Sequence, residues 1–445
     1  MTTTSANSQE QSLPEIGLEP GAPALIVPER QARGLSRAFI ALRHRNYRLF
    51  WIGQLISLVG TWMQTTGQAW LVLRLTHSAW QLGVVGALQF LPILLFSIFG
   101  GVFADRWPKR NMLLFTQSIA LVQAVLLWAL VASGSIQVWE IYVLALLLGT
   151  TNSLDMPTRQ AFVMEMVGRE DLPNGVALNS SIFNLARTLG PGLGGLIIAF
   201  SGVTTLFLLN ALSFIPVIAG LLLIRTSELH SLPRRAQVRV KTWQSLREGM
   251  VYIGHTPSVL LIILVVGMVS LFGINFNVVL PLFAADVLNV GAIGFGFLAA
   301  TIGAGALVSA LWIAWGNRRP GIRKLLISTL AFSIFLALFS VSHNYPLSLV
   351  LIFCVGFAQI AFSALANTAL QSITPDHLRG RVISVYMACF AGSTPIGNLL
   401  IGGLSLLGGP SIALLICAIL AVISAMAGWL WRKPAEKDFA NALRF

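Results

Sequence analysis

The sequence predicts an all-α membrane protein with twelve transmembrane helices, arranged as two six-helix halves about a pseudo-two-fold axis. Three observations lead there. Hydrophobic residues make up 56% of the 445 positions and charged residues only 10%, too little charge to cover a soluble protein of this size. Apolar segments of spanning length recur from Phe50 to Trp431. Landmarks of the first six segments return in the last six.

A span needs about 20 mostly apolar residues. Segments of that kind lie near 50–73, 80–103, 112–133, 139–157, 175–201, 203–224, 258–285, 292–315, 324–342, 346–371, 382–406 and 411–431. An even count puts both termini on one side, and basic residues decide which. Of the 29 Lys and Arg, all but two fall before the first span, after the last, or in alternate connections on the same face; Arg74 lies opposite and Arg187 inside a span. The positive-inside rule then places both termini in the cytoplasm, and the chain reads as a multi-pass protein of the inner (cytoplasmic) membrane. The net charge of +13 belongs to topology and attraction to anionic membrane lipids rather than to nucleic acid.

Residues 1–35 are rich in Ser, Thr, Pro, Gly and Glu and lack the basic start, apolar run and small-residue site of a signal peptide, so a disordered cytoplasmic tail is expected. The N-terminal half is expected over 36–225 and the C-terminal half over 258–431, with a cytoplasmic tail over 432–445. Between the halves, 226–257 forms a cytoplasmic loop in which Trp243, Leu246, Met250 and Ile253 repeat at helical spacing, predicting an amphipathic helix on the inner leaflet. Cys354, Cys389 and Cys417 all fall inside apolar segments, with neither disulfide nor metal spacing, and read as small core residues.

The turn after span 2, Gly101-Val102-Phe103-Ala104-Asp105-Arg106-Trp107-Pro108-Lys109-Arg110, has a counterpart about 210 residues on in Gly316-Asn317-Arg318-Arg319-Pro320-Gly321-Ile322-Arg323-Lys324. Glu170-Asp171-Leu172-Pro173-Asn174-Gly175-Val176 is likewise matched by Asp376-His377-Leu378-Arg379-Gly380-Arg381-Val382. The first turn resembles the signature loop of the major facilitator superfamily, Gly-x-Leu-Ala-Asp-Arg-x-Gly-Arg-Lys, with Phe103 for the leucine and Pro108 for the second glycine. In span 5, Ala186-Arg187-Thr188-Leu189-Gly190-Pro191-Gly192-Leu193-Gly194-Gly195 resembles the antiporter motif Gly-x-x-x-Gly-Pro-x-x-Gly-Gly, with alanine for the first glycine. With Pro157-Thr158-Arg159-Gln160-Ala161-Phe162-Val163 and Leu378-Arg379-Gly380-Arg381-Val382 added, the chain resembles the drug-exporter branch that includes the enterobactin exporter and the macrolide efflux pumps, over about residues 40–432.

The resemblance implies secondary export of a bulky, partly apolar small molecule, drug-like or siderophore, by proton antiport and alternating access. Protons and membrane lipids are then partners, a monomer is expected, and no cofactor is called for. It also implies a cytoplasmic gate in which Asp105 and Arg106 meet the start of span 11 around Gly380 and Arg381, while Lys109 or Arg110 completes a charge cluster with Asp155. Ordinary loop charges that only set topology would look the same. Gly190, Pro191, Gly194 and Gly195 remove bulk and one backbone donor from span 5, allowing a kink and a close neighbour.

Arg187 is the one charge deep in a span; it faces either the cavity or a structural partner at the helix break. The family's cavity is lined mainly by spans 1, 4, 7 and 10, which makes Gln64, Gln68, Gln89, Asn275, Asn277, Gln359 and Asn367 candidate contacts. Each could instead be an interhelical hydrogen bond. No acid sits at the centre of a span, which leaves Glu140, Asp155 and Asp286 as candidates for proton coupling.

The chain has no phosphate-loop signature for a nucleotide-driven pump. Its six histidines are scattered near span ends, with no metal-ligand spacing and no catalytic constellation, so neither a metal site nor an enzyme is expected. A nutrient importer on the same fold is the alternative, and the span-5 motif argues against it.

Overall fold

The computed structural model describes residues 39–230, 242–315 and 321–442, with side chains at all of these except 97–106, 242–246, 314–315, 376–377 and 391. The expected tail over 1–35 and the basic start of the central loop lie outside the described residues, as do the Asp105 and Arg106 side chains. All described residues belong to one unit, Phe39–Phe445.

The helices run in this order: α1 Arg45–Thr76, α2 Ala79–Arg106, α3 Lys109–Ala132, α4 Val138–Val167, α5 Leu172–Leu222, α6 Thr242–His255, α7 Pro257–Gly273 and α8 Phe276–Leu282. They continue with α9 Gly291–Trp315, α10 Ile322–Ser340, α11 Tyr345–Ile373, α12 Asp376–Leu430 and α13 Arg432–Ala442. Among the described residues no strand occurs, as expected of backbone that must satisfy its own hydrogen bonds in lipid. Among the described residues eight stretches are long and apolar enough to cross a membrane.

Two of those eight, α5 and α12, are each bent into two helices by one residue in the left-handed region, Gly202 (φ 81°) and Gly409 (φ 77°). A side chain there would be strained, so glycine is the residue that lets a chain turn straight back. The two bends are separated by nearly the same number of positions as the sequence landmarks, so the duplication extends to backbone conformation. α1 and α4, with 32 and 30 residues, also have spanning length but carry the buried polar groups described below.

Polar side chains start several of these helices. The Gln137 side chain accepts from a first-turn amide of α4 while Glu140 Oε2 accepts from Gln137 N at 2.8 Å, and Asn344 Oδ1 accepts from Leu347 N at 3.0 Å to begin α11. Within the first half α1 packs on α5, α2 on α4, and α3 on both α4 and α5; within the second, α7 packs on α12, α9 on α11, and α10 on α11 and α12. Across the halves, α2 meets α12 and α5 meets α9.

Three expectations need correction. Span 7 is not one helix: Ile274 and Asn275 leave helical dihedrals (ψ 42° and 40°), separating α7 from α8, and a π-helical turn over Phe283–Val287 follows. The expected kink at Pro191 is also not a break, because helical conformation continues through it and the bend lies at Gly202. Finally, α4 runs ten residues beyond the predicted end of span 4, which puts Arg159 inside the helix. Its charge had looked like a loop signal, but an acid one turn earlier neutralises it.

Candidate functional site: the seam between the halves

The halves meet along two seams where glycines remove the side chain. A Cβ on Gly195 of α5 would lie 2.5 Å from the Gly296 Cα of α9, and one on Gly296 would lie 2.6 Å from the Gly195 Cα. One turn or two further along, a Cβ on Gly192 would meet Ala300 at 2.9 Å and one on Gly303 the Thr188 Cα at 2.7 Å. On the other seam, Gly83 of α2 sits against the Asn398 carbonyl of α12 (2.6 Å to an added Cβ) and Gly402 against the Ala79 carbonyl (2.8 Å). Backbones approach this closely only through small residues.

These approaches lie between mid-helix and the end carrying the bends at Gly202 and Gly409, termed here the distal end. Trp70 of α1 stacks on Phe295 of α9 near the same end (5.8 Å between centroids). Of the span-5 motif, Gly195 forms the contact across the halves, whereas Gly190 lies against Trp62 and Gly194 against Met63, both on α1.

Beside the α2 seam is a narrow cleft, partly open to solvent, walled by Thr65, Gln68, Leu82, Val85, Gln89 and Asn277. Gln68 is 2% exposed and neither side-chain polar atom has a partner. Asn398, 1% exposed, is in the same condition on α12. Asn275, at the break between α7 and α8, donates to Leu271 O at 2.8 Å and leaves Oδ1 unpartnered. Buried amides normally find partners; Gln68 and Asn398 stand where the halves face each other, and Asn275 lies against Gly397 of α12.

α5 carries Arg187 into the same central space. Successive helical residues turn by about 100°, so the neighbours of α5 locate every side of it. Ala186, Gly190 and Gly194 face α1, Thr188, Gly192 and Gly195 face α9, and Leu189 and Leu193 are exposed at the periphery (45% and 43%). Arg187 falls between the α1 and α9 faces, away from both leucines. Arg187 Nη2 donates to Asn184 Oδ1 at 3.3 Å, and among the described residues no acid pairs with it.

The other predicted polar residues go elsewhere. Gln64 is held inside the first half: its Oε1 accepts from Asn210 Nδ2 at 2.5 Å and its Nε2 donates to Gln123 Oε1 at 3.2 Å. Asn367 Oδ1 accepts from Gln371 Nε2 at 3.0 Å, and Gln359 is buried on α11. Of the three acids proposed for coupling, Glu140 caps α4 and Asp286 is exposed in the π turn, both at the distal end.

Asp155 is 1% exposed. It forms an ion pair with Arg159 and accepts from Thr116 Oγ1 at 2.9 Å and Gln117 Nε2 at 2.8 Å. The Gln54 amide oxygen, turned toward Arg159, accepts from its Nη1 at 3.1 Å and its Nη2 at 3.3 Å. The expected cluster of Asp155 with Lys109 or Arg110 is therefore not what forms. Lys109 pairs with Glu165 at 3.2 Å, and Arg110 Nε and Nη2 donate to the Leu221 and Leu222 carbonyls at 2.7 and 3.0 Å, satisfying the end of α5.

At the end opposite the bends, Arg381 pairs with Glu248 of the predicted amphipathic helix α6, and nothing crowds Gly380. His44 and His230, far apart in sequence, stand edge to face at 6.2 Å, with His44 Nε2 2.7 Å from Asp171 Oδ2. No group of three metal-ligating side chains occurs among the described residues. Gln54, Asn398 and Glu248 carry no signal in the sequence; Arg159 stands in the motif over 157–163, and its pairing with Asp155 is signalled only by their spacing of one helical turn.

A family model described as transmembrane secretion effector matches residues 36–444. The staphyloferrin A transporter of Staphylococcus aureus is 26% identical over 359 residues, covering 79% of this chain and 88% of its own. The enterobactin exporter EntS of Shigella boydii is 28% identical over 367 residues, covering 81% and 85%. Among solved structures, the nucleoside transporter NupG superposes with a TM-score of 0.68 at 14% identity, covering 87% of this chain and 99% of that one. A bacterial homologue of the human lysosomal transporter Spinster, inward-facing and unoccupied, superposes at 0.65 and 15% identity, covering 90% and 97%.

Proposed function

The chain belongs to the transmembrane secretion effector family of the major facilitator transporters, and from that premise we propose that it exports a bulky, partly apolar small molecule of siderophore or drug-like type by proton-driven alternating access. The observation that carries this reading is the seam itself: two duplicated halves close on each other through glycines at one end, with unpartnered amides and one unpaired guanidinium facing the space between them. Buried polar groups without protein partners are what a passing polar substrate requires and what a purely structural interface avoids.

In this reading the chain crosses the membrane twelve times, α5 and α12 counting twice and α1 and α4 crossing despite their polar residues. The two halves follow 36–225 and 258–431, joined by the cytoplasmic loop 226–257. The distal end is periplasmic, since the other carries nearly all Lys and Arg. The close approaches at the distal end are then the closed outer gate of an inward-open state. The inner gate comprises Asp105, Arg106 and the start of α12 around Gly380 and Arg381. Coupling falls to Asp155, the one buried acid among the three candidates, whose protonation would release Arg159.

The test is accumulation of a panel of fluorescent drug-like compounds and of labelled siderophores in cells with and without the protein, each with and without an uncoupler. Export predicts lower accumulation in expressing cells, restored by the uncoupler. Higher accumulation would establish the importer, and no difference across the panel would overturn the substrate range.

A further inference from the structure

We infer that Arg187, with Trp62 and Phe183, forms a subsite for a ring-borne anion, so that the exported molecule presents a carboxylate or phenolate attached to an aromatic ring to the middle of the membrane. This rests on the export reading above and specifies its substrate class.

Arg187 lies midway along the first arm of α5, between Leu172 and the bend at Gly202, and points into the wedge between α1 and α9. Within its own helix it has one weak acceptor, Asn184 Oδ1 at 3.3 Å, and its remaining donors meet no protein acceptor among the described residues. A permanently charged guanidinium at that depth is costly unless an anion or water meets it. The opposite charge nearest in kind, Asp155, is already engaged by Arg159, Thr116 and Gln117 on other helices.

The second component is aromatic. Phe183 precedes Arg187 by one turn on the same side of α5. Trp62 of α1 meets Phe183 edge to face, 5.9 Å between centroids and 74° between planes, while its own Cβ sits against Gly190. Trp62 thus borders the stretch of α5 that presents Arg187, so that two aromatic rings line the same stretch of helix as its N–H donors. A guanidinium offers two parallel donors to a carboxylate and a flat face to a ring, so one group meets both parts of an aromatic acid. Gln68 in the cleft and Asn398 on the α2 seam leave the rest of the ligand a neutral, hydrogen-bonding environment.

The test uses the purified full-length protein in detergent and three matched probes: naphthalene carboxylate, naphthalene carboxamide and cyclohexane carboxylate. Thermal stabilisation is titrated against each. The carboxylate on the ring should bind about tenfold or more tightly than either comparator, the scale of a hydrogen bond to a charged group. Arg187→Lys should retain most of the preference for charge, Arg187→Gln should lose it, and Phe183→Leu should lose the preference for the ring only. Equal binding of carboxylate and carboxamide by the unaltered protein overturns the subsite without needing any variant. So does a charge preference that survives Arg187→Gln. Uncoupler-sensitive export of neutral compounds without anion selectivity would leave the export reading standing and remove this one; selective anion binding with no export in cells would do the reverse.

Discussion

Placing one methyl group on the α5 seam tests alternating access directly. In the observed arrangement a Cβ at Gly195 would lie 2.5 Å from the Gly296 Cα, 3.0 Å from the Ala292 carbonyl and 3.0 Å from the Gly296 amide nitrogen. All three are backbone atoms, so no rotamer change relieves the overlap and the two halves must separate at their distal end. Overpacking of this kind costs about 1–3 kcal/mol. If the state with that end open has no such contact, Gly195→Ala favours it by roughly 5–150-fold. The assay is labelling by a membrane-impermeant maleimide added from outside, at Val85→Cys in the cleft wall, with Cys354, Cys389 and Cys417 replaced. Val85 is 5% exposed in the observed state, so its labelling reports opening. Gly195→Ala should accelerate the reaction within that range and lower export, and Gly296→Ala should act alike because its added Cβ would meet Gly195 at 2.6 Å. An unchanged rate in both variants with normal export would refute the proposal that this seam opens during transport.

Four further outcomes are expected. Asp155→Asn leaves Arg159 buried without its counter-charge and should cost about 3–5 kcal/mol in detergent stability, with part restored by adding Arg159→Gln; single neutralisation of Glu140, Asp155 and Asp286 should abolish uncoupler-sensitive efflux at Asp155 alone. Asp105→Asn should impair export with membrane expression intact, and normal export would remove it from the gate. Gln64→Leu should cost about 0.6–1.7 kcal/mol, the range of interhelical hydrogen bonds in membranes, and leave the substrate range unchanged. Gln68→Leu, by contrast, removes no intramolecular bond, so it should leave thermal stability nearly constant while altering which compounds are exported.

Much of the site was visible as residue type but not as partnership. Gln64 and Gln68 lie one turn apart on α1 and look equivalent in sequence. They share a face, and depth along α1 separates them: Gln64 meets Asn210 and Gln123 inside its own half, while Gln68, one turn nearer the distal end, lines the cleft with Asn277 of the other. Lys109, Arg110 and Asp155 were grouped because they sit near the same membrane surface, yet each is satisfied by a different neighbour. Arg159 is visible in sequence only as a motif residue, because hydropathy ends a span at a charge, and the acid paired with it one turn earlier explains why α4 continues.

The sequence by itself determined the membrane class, the spacing of the apolar segments, the charge asymmetry and the duplication, because those follow from composition and period and need no knowledge of neighbours. It also marked Gly190, Pro191, Gly194 and Gly195 as a close-contact surface, since the absence of a side chain is a local property. Which helix each glycine contacts, where span 7 breaks, which amides stay unpartnered and which way Arg187 points were decided only by tertiary structure. Those properties depend on the angle between residues on one helix and on what a second helix, remote in sequence, places opposite them.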